Sequence, residues 1–207
     1  MLKIEMFTLG PLQTNAYLLS DAEQNKGIII DPGMKPASLI KRISEMEIEA
    51  ILLTHAHFDH IGGGEEIRRI KNCPVYLHDL EADWLMNPKK NGSAMWPEVS
   101  GPITAEPAEY ELAEGQALHL LGATLKVLHT PGHSPGSVGF LYENKLFGGD
   151  VLFRLSVGRT DLPGGSSSDL YNSIVGKLFD LPDDTVVYPG HGSKTTIGFE
   201  KENNPYV

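Results

Sequence analysis

The sequence predicts an α/β protein in which two β-sheets stack face to face and carry helices on their outer sides. Three observations point there. Short β-rich runs alternate with helical spacing along the 207 residues. Each half of the chain opens with strands and then alternates strand and helix, the pattern of sheets covered by helices. Hydrophobic residues are 41% and charged residues 21%, values of a chain that buries a core rather than remaining disordered. At roughly 100–200 residues per domain, the length fits a single domain over residues 1–207.

Taken in order, Leu2 to Thr8 and Ala16 to Leu19 read as strands. Gly27 to Ile30 is a short buried strand stopped by Asp31-Pro32-Gly33, a turn signal. Pro36 to Met46 has helical spacing, with Leu39, Ile43 and Met46 on one face. Ala50 to Thr54 is a further strand, and Glu65 to Ile70 a helix with acids at its start and Arg68, Arg69 and Lys71 at its end. Val75 to His78 follows as a strand. The segment near 81–110 is broken by four prolines yet holds Trp84, Met86, Met95 and Trp96. So much apolar bulk marks it as an inserted lid-like segment, core packing or a dimer contact. Strand patterns resume at Ala117 to Leu121, Thr124 to His129, Ser137 to Tyr142 and Lys145 to Phe147. Ser166 to Leu181 reads as the last helix, with Leu170, Ile174, Lys177 and Leu178 at helical spacing, and Thr185 to Tyr188 as the last strand.

Composition excludes several function classes. With 17 Lys+Arg against 27 Asp+Glu, the formal charge is −10, which disfavours a nucleic-acid binder that needs basic surface to displace counterions. No apolar run approaches the roughly 18 residues of a membrane span. A lone cysteine, Cys73, rules out an internal disulfide and fits a reducing cytoplasm. The first residues carry no export signal, so a cytoplasmic monomer or homodimer is expected.

The histidines carry the chemistry. His55-Ala56-His57-Phe58-Asp59-His60 puts three histidines and an aspartate into six residues directly after an apolar strand. In an extended segment His55, His57 and Asp59 would share a face; a bend at Phe58 would aim them in two directions and suit two metals. His133 lies in a glycine-rich turn between strands, and Asp150 and His191 end two further strands. Turns of this kind let backbones converge closely on one point.

The run from His55 to His60 resembles the HxHxDH signature of the metallo-β-lactamase superfamily, and Asp31, His133, Asp150 and His191 match its remaining positions in order. The resemblance covers essentially the whole chain and implies an αβ/βα sandwich of two mixed sheets with helices on the outer faces. It implies one metal held by His55, His57 and His133 and a second by Asp59, His60 and His191. Asp150 would bridge the two, and Asp31 would support a ligand from behind. Residues 148–165 (GGDVLFRLSVGRTDLPGG) and the tail from Gly190 further resemble short bacterial glyoxalase II-like hydrolases.

The implied cofactors are two divalent ions, zinc first, with iron or manganese also compatible with imidazole and carboxylate ligands. Such a pair can share a water and make it a hydroxide nucleophile near neutral pH, with Asp59 and Asp150 as the catalytic carboxylates. A thiolate leaves without a proton, because its parent pKa is about 8.5. The expected activity is therefore hydrolysis of a glutathione-type thioester such as S-lactoylglutathione. Arg159 is the local candidate for holding a substrate carboxylate. The helical domain that supplies thiol-binding residues in long glyoxalase II enzymes has no counterpart after His191, so those contacts are not carried over. The alternatives are a mononuclear-iron persulfide dioxygenase, or a lactonase or other ester hydrolase. Lactamase activity is disfavoured, because the main zinc β-lactamases place a cysteine where Asp150 stands. A binding module that had lost its metals is disfavoured by the complete ligand set. His78, His119 and His129 match no motif position and are expected to be structural.

Overall fold

The computed structural model describes residues 1–207. Its first half is built from β1 (Lys3–Leu9), β2 (Thr14–Ser20), β3 (Lys26–Ile30), α1 (Ala37–Arg42), β4 (Glu47–Leu52), α2 (Phe58–Ile61), α3 (Gly64–Lys71), β5 (Val75–His78) and β6 (Tyr110–Leu112). These six strands form one sheet in chain order. The first three pair antiparallel and the rest parallel.

The second half contains β7 (Ala117–Leu120), β8 (Ala123–His129), β9 (Val138–Tyr142), β10 (Lys145–Gly149), β11 (Leu152–Phe153), β12 (Ser156–Val157), α4 (Ser167–Val175), β13 (Val186–Pro189), β14 (Thr195–Thr196) and α5 (Ile197–Asn203). Its main sheet runs β14-β13-β10-β9-β8-β7, and β11 and β12 make a separate two-stranded hairpin.

Strand alternation explains the layering. Ile28, Ile30, Ala50 and Leu52 face the second sheet and pack with Leu125, Val127, Phe140 and Phe147. Ile29 and Ile51, pointing the opposite way, pack with Leu39, Ile43 and Ile67 on the helix side. Leu146 and Val187 turn outward from the second sheet onto Leu170, Ile174 and Ile197. The order helix, sheet, sheet, helix is the expected sandwich. Strands buried on both faces need the near-continuous apolar runs seen at 28–30 and 50–53.

Two helices are shorter than their spacing predicts. The first ends at Arg42, because the chain must turn back into β4; Lys71 Nζ caps the exposed carbonyls of Ser44 and Met46 at 2.7 and 3.1 Å. The second ends at Val175 and resumes as one 3₁₀ turn at Leu178–Asp180. Lys177 leaves the apolar face and donates instead to the His129 carbonyl and Glu114. Missed from sequence were α2, β6, the β11–β12 hairpin, β14 and α5, all short; α5 is capped by Thr196.

The segment 81–110 divides. Trp84 and Leu85 are buried in the first core. Trp96 stacks on Phe58 with ring centroids 5.6 Å apart, while Met86 and Met95 are exposed. No helix is long and apolar enough to cross a membrane.

Candidate metal centre

Every motif residue sits at the same edge of the sandwich, where the strands end. His55 and His57 follow β4, and His57 is the N-cap of α2, whose first turn carries Asp59 and His60. The bend therefore falls at Phe58, and the extended arrangement with His55, His57 and Asp59 on one face does not occur. His133 comes from the loop between β8 and β9, Asp150 follows β10, and His191 follows β13. Close approach of these backbones depends on glycine: a Cβ at Gly190 would lie 2.1 Å from Asp150 Oδ1 and 2.7 Å from His60 Cε1.

The side chains converge in overlapping groups, one of His55, His57 and His133, one of His55, His60 and Asp150, and one of Asp59, His60 and His191; within each, the donor atoms lie within 4.8 Å of one another. His57 Nδ1 faces His133 Nε2 at 2.9 Å. His191 Nε2 is 3.2 Å from Asp59 Oδ2 and 3.4 Å from Asp150 Oδ2. Asp150 reaches both sides, with Oδ1 3.3 Å from His60 Nε2 and Oδ2 3.7 Å from His133 Nε2.

The outward nitrogens of His55, His60, His133 and His191 are anchored, which fixes those rings. His55 Nδ1 bonds Thr54 Oγ1 at 3.0 Å, His60 Nδ1 bonds Asp31 Oδ2 at 2.9 Å, and His133 Nδ1 donates to the Arg159 carbonyl at 2.8 Å. His191 Nδ1 donates to the Leu12 carbonyl at 3.1 Å. Asp31 also accepts from the Thr54 amide and hydroxyl, so it stands behind the site as expected.

Donor chemistry and burial both fit divalent cations. His55 Nε2, His60 Nε2 and Asp150 Oδ1, all members of the donor groups, are buried without a hydrogen-bond partner. Each such orphan costs about 1–3 kcal/mol, and neighbouring imidazole and carboxylate donors are satisfied together by a cation. Electrostatics divide the site. Burial, reinforced by neighbouring histidines, pushes His55 well below its usual pKa and His57 down to about 3. Burial also lowers His133. These rings are neutral, the form a metal needs. On the other side, burial opposes charge on His60 and His191, but the carboxylates of Asp59 and Asp150 outweigh it, raising His60 and bringing His191 to about 10. Asp59, despite burial, is held at about 2 by His60 and His191. That half of the site calls for positive charge.

A cleft of about 440 Å³ opens over these residues, walled by Leu12, Phe58, Trp96, Phe153, Val157 and Leu162. Arg159 also lines it, but its guanidinium is paired with Asp161, Nε and Nη2 donating at 2.6 and 2.7 Å. The N-cap of α4 is Ser166, which accepts from the Asp169 amide. His78 and His129 stack on each other with centroids 4.3 Å apart, and His119 pairs with Thr124, so none of the three joins the centre. Sequence reasoning missed Thr14 and Glu81. Thr14 donates to Asp59 from a strand 45 residues away, and Glu81 accepts from the Ala56 amide. No local pattern marks either.

The metallo-beta-lactamase superfamily profile matches residues 9–191, a span containing all of these groups. The chain belongs to the metallo-beta-lactamase superfamily. It is 41% identical to the probable metallo-hydrolase YqgX of Bacillus subtilis, over 100% of this chain and 98% of the relative. It is 37% identical to the hydroxyacylglutathione hydrolase GloC of Haemophilus influenzae, over 100% and 98%. Among solved superfamily structures, BLEG-1 B3 metallo-beta-lactamase superposes with a TM-score of 0.93 at 45% identity, covering 99% of each chain. TTHA1623 in a di-iron-bound form superposes with a TM-score of 0.86 at 41% identity, covering 98% of this chain and 100% of that one. The chain is thus a metallo-hydrolase of this superfamily, with a His/Asp cluster suited to divalent metal.

Proposed function

We propose that this metallo-hydrolase cleaves thioesters of small glutathione-type thiols, with S-lactoylglutathione as the model substrate. The observation that carries the reading is Asp150, whose carboxylate lies between the two halves of the donor cluster, Oδ2 being 3.7 Å from His133 Nε2 and 3.4 Å from His191 Nε2, at the floor of an open, largely apolar cleft. The likeness to GloC supports the substrate class. His55, His57 and His133 would hold one divalent ion and Asp59, His60 and His191 the other, with Asp150 between them. When bound, such a pair supplies an acidified water and polarises the scissile carbonyl. Zinc fits this donor set, and the di-iron neighbour keeps iron alongside it.

The chain's own groups do the rest. Asp59 and Asp150 stay ionised and accept hydrogen bonds from an attacking water, orienting its lone pair toward the carbonyl. Phe58, Trp96 and Leu162 line the path of the acyl and thiol arms, so residues near Trp96 act as a wall of lid-like position. Arg159 at the cleft edge can share its guanidinium between Asp161 and a substrate carboxylate. The thiolate departs without needing a general acid.

A second reading, β-lactam cleavage, is favoured by the 45% identity to BLEG-1. Metal-loaded protein tested on S-lactoylglutathione, a chromogenic cephalosporin, a lactone and a persulfide separates the readings. Thiol release from the thioester at the highest kcat/KM is expected. Faster turnover of the cephalosporin overturns the thioesterase reading, and a single iron with consumption of O2 when the persulfide is added would replace it by a dioxygenase.

A further inference from the structure

We propose that Glu81 is a positioning residue that ties together the two loops presenting His55, His57 and His133, and so shapes that half of the metal centre selectively. The inference rests on the assignment of those three histidines to one ion.

Glu81 ends the single 3₁₀ turn Asp79–Glu81 that follows β5, and it is completely buried. Its Oε2 accepts from the Ala56 amide at 2.6 Å, between His55 and His57. Its Oε1 accepts from the Gly136 amide at 2.7 Å, at the end of the loop that carries His133. One carboxylate thus spans the two loops, one oxygen on each. The absence of a side chain at Gly136 leaves room for it: a Cβ there would lie 2.9 Å from Glu81 Cγ and 3.0 Å from Cδ. The same turn places Trp84, whose amide donates to the Glu81 carbonyl at 2.8 Å and whose ring lies 5.8 Å from that of His57.

The tie is one-sided. Asp59 and His60 lie on α2, and His191 is anchored by the Leu12 carbonyl. None of these three receives a bond from Glu81. Taking a carboxylate out of water is costly unless it is well bonded, and two amide donors from ligand loops are what this one has. Both oxygens are acceptors, and both partners are donors. A glutamine of equal size supplies one acceptor only, and its NH₂ would meet an N–H.

Titration of the metal-free protein with Co(II), followed by absorbance and calorimetry, tests this without any substrate. Wild type should take up two ions. Glu81→Gln should keep one site near its original affinity and lose about 10–100-fold at the other, the range found when residues supporting metal ligands are removed. The lost absorbance should be that of the histidine-rich site. Gly136→Ala breaks the same contact from the opposite side and should weaken the same ion. Unchanged uptake in both variants, or equal weakening of both ions, overturns the positioning role. Should neither variant fold, amide exchange on metal-free wild type decides: protected Ala56 and Gly136 amides support a tie formed before metal arrives, and exchange at open-loop rates overturns it. Wild type that binds no metal overturns the parent assignment and this inference with it.

Discussion

Thr14 Oγ1 donates to Asp59 Oδ2 at 2.7 Å, with both side chains buried, so a strand hydroxyl fixes a carboxylate of the metal centre. Thr14→Val keeps the shape and removes the donor. Metal affinity at the Asp59 side should fall about tenfold, with kcat falling in step. Dialysis against graded chelator, with metal content read beside turnover, checks it; full metal retention would show that the hydroxyl has no hold on Asp59.

Arg159 and Asp161 should move KM in opposite directions. Arg159→Ala removes the cleft's cation and should raise KM for an anionic thioester more than it lowers kcat. Asp161→Ala frees the guanidinium now paired at 2.6 and 2.7 Å, and should lower KM by several-fold, as a charge-assisted pair would. Steady-state kinetics on both variants decides the point. An unchanged KM in each would remove Arg159 from substrate binding.

The two tryptophans should separate stability from binding. Trp84 is 5% exposed and packs in the core, so Trp84→Ala should destabilise the fold by about 3–5 kcal/mol. Trp96 lines the cleft over Phe58, so Trp96→Ala should raise KM with a much smaller loss of stability. Urea melts beside kinetics measure both. Equal loss of stability in the two variants would make Trp96 a core residue.

Burial pushes the Cys73 thiol up to about 11 from an ordinary value of 9.0. The folded state therefore keeps its proton where the unfolded chain has lost it. Its contribution to stability is complete below pH 9 and is lost as pH rises from 9 to 11. Wild type should lose more stability than Cys73→Ala across that window in urea melts. Alkylation of the native protein at pH 8 should be slow, and fast reaction there would mean an exposed thiolate.

The sequence by itself determined the central strands of both sheets, from apolar runs at 28–30 and 50–53 and alternation at 124–129, because burial on a sheet leaves a local signature, whereas the short edge strands β6 and β14 left none. It also determined which residues meet, since His55 to His60, His133, Asp150 and His191 all stand at strand ends, and strand ends in stacked sheets share an edge. Tertiary structure alone decided the rest. The bend at Phe58 comes from the α2 turn, whose opening Phe58 amide donates to the Asn91 carbonyl at 2.9 Å, a partner far along the chain. Trp84 and Trp96, alike in composition and twelve positions apart in sequence, part company because one faces the core and the other the cleft. Thr14 and Glu81 acquire their partners only when distant segments fold together, and a hydrogen bond across that distance writes no pattern into the residues beside it.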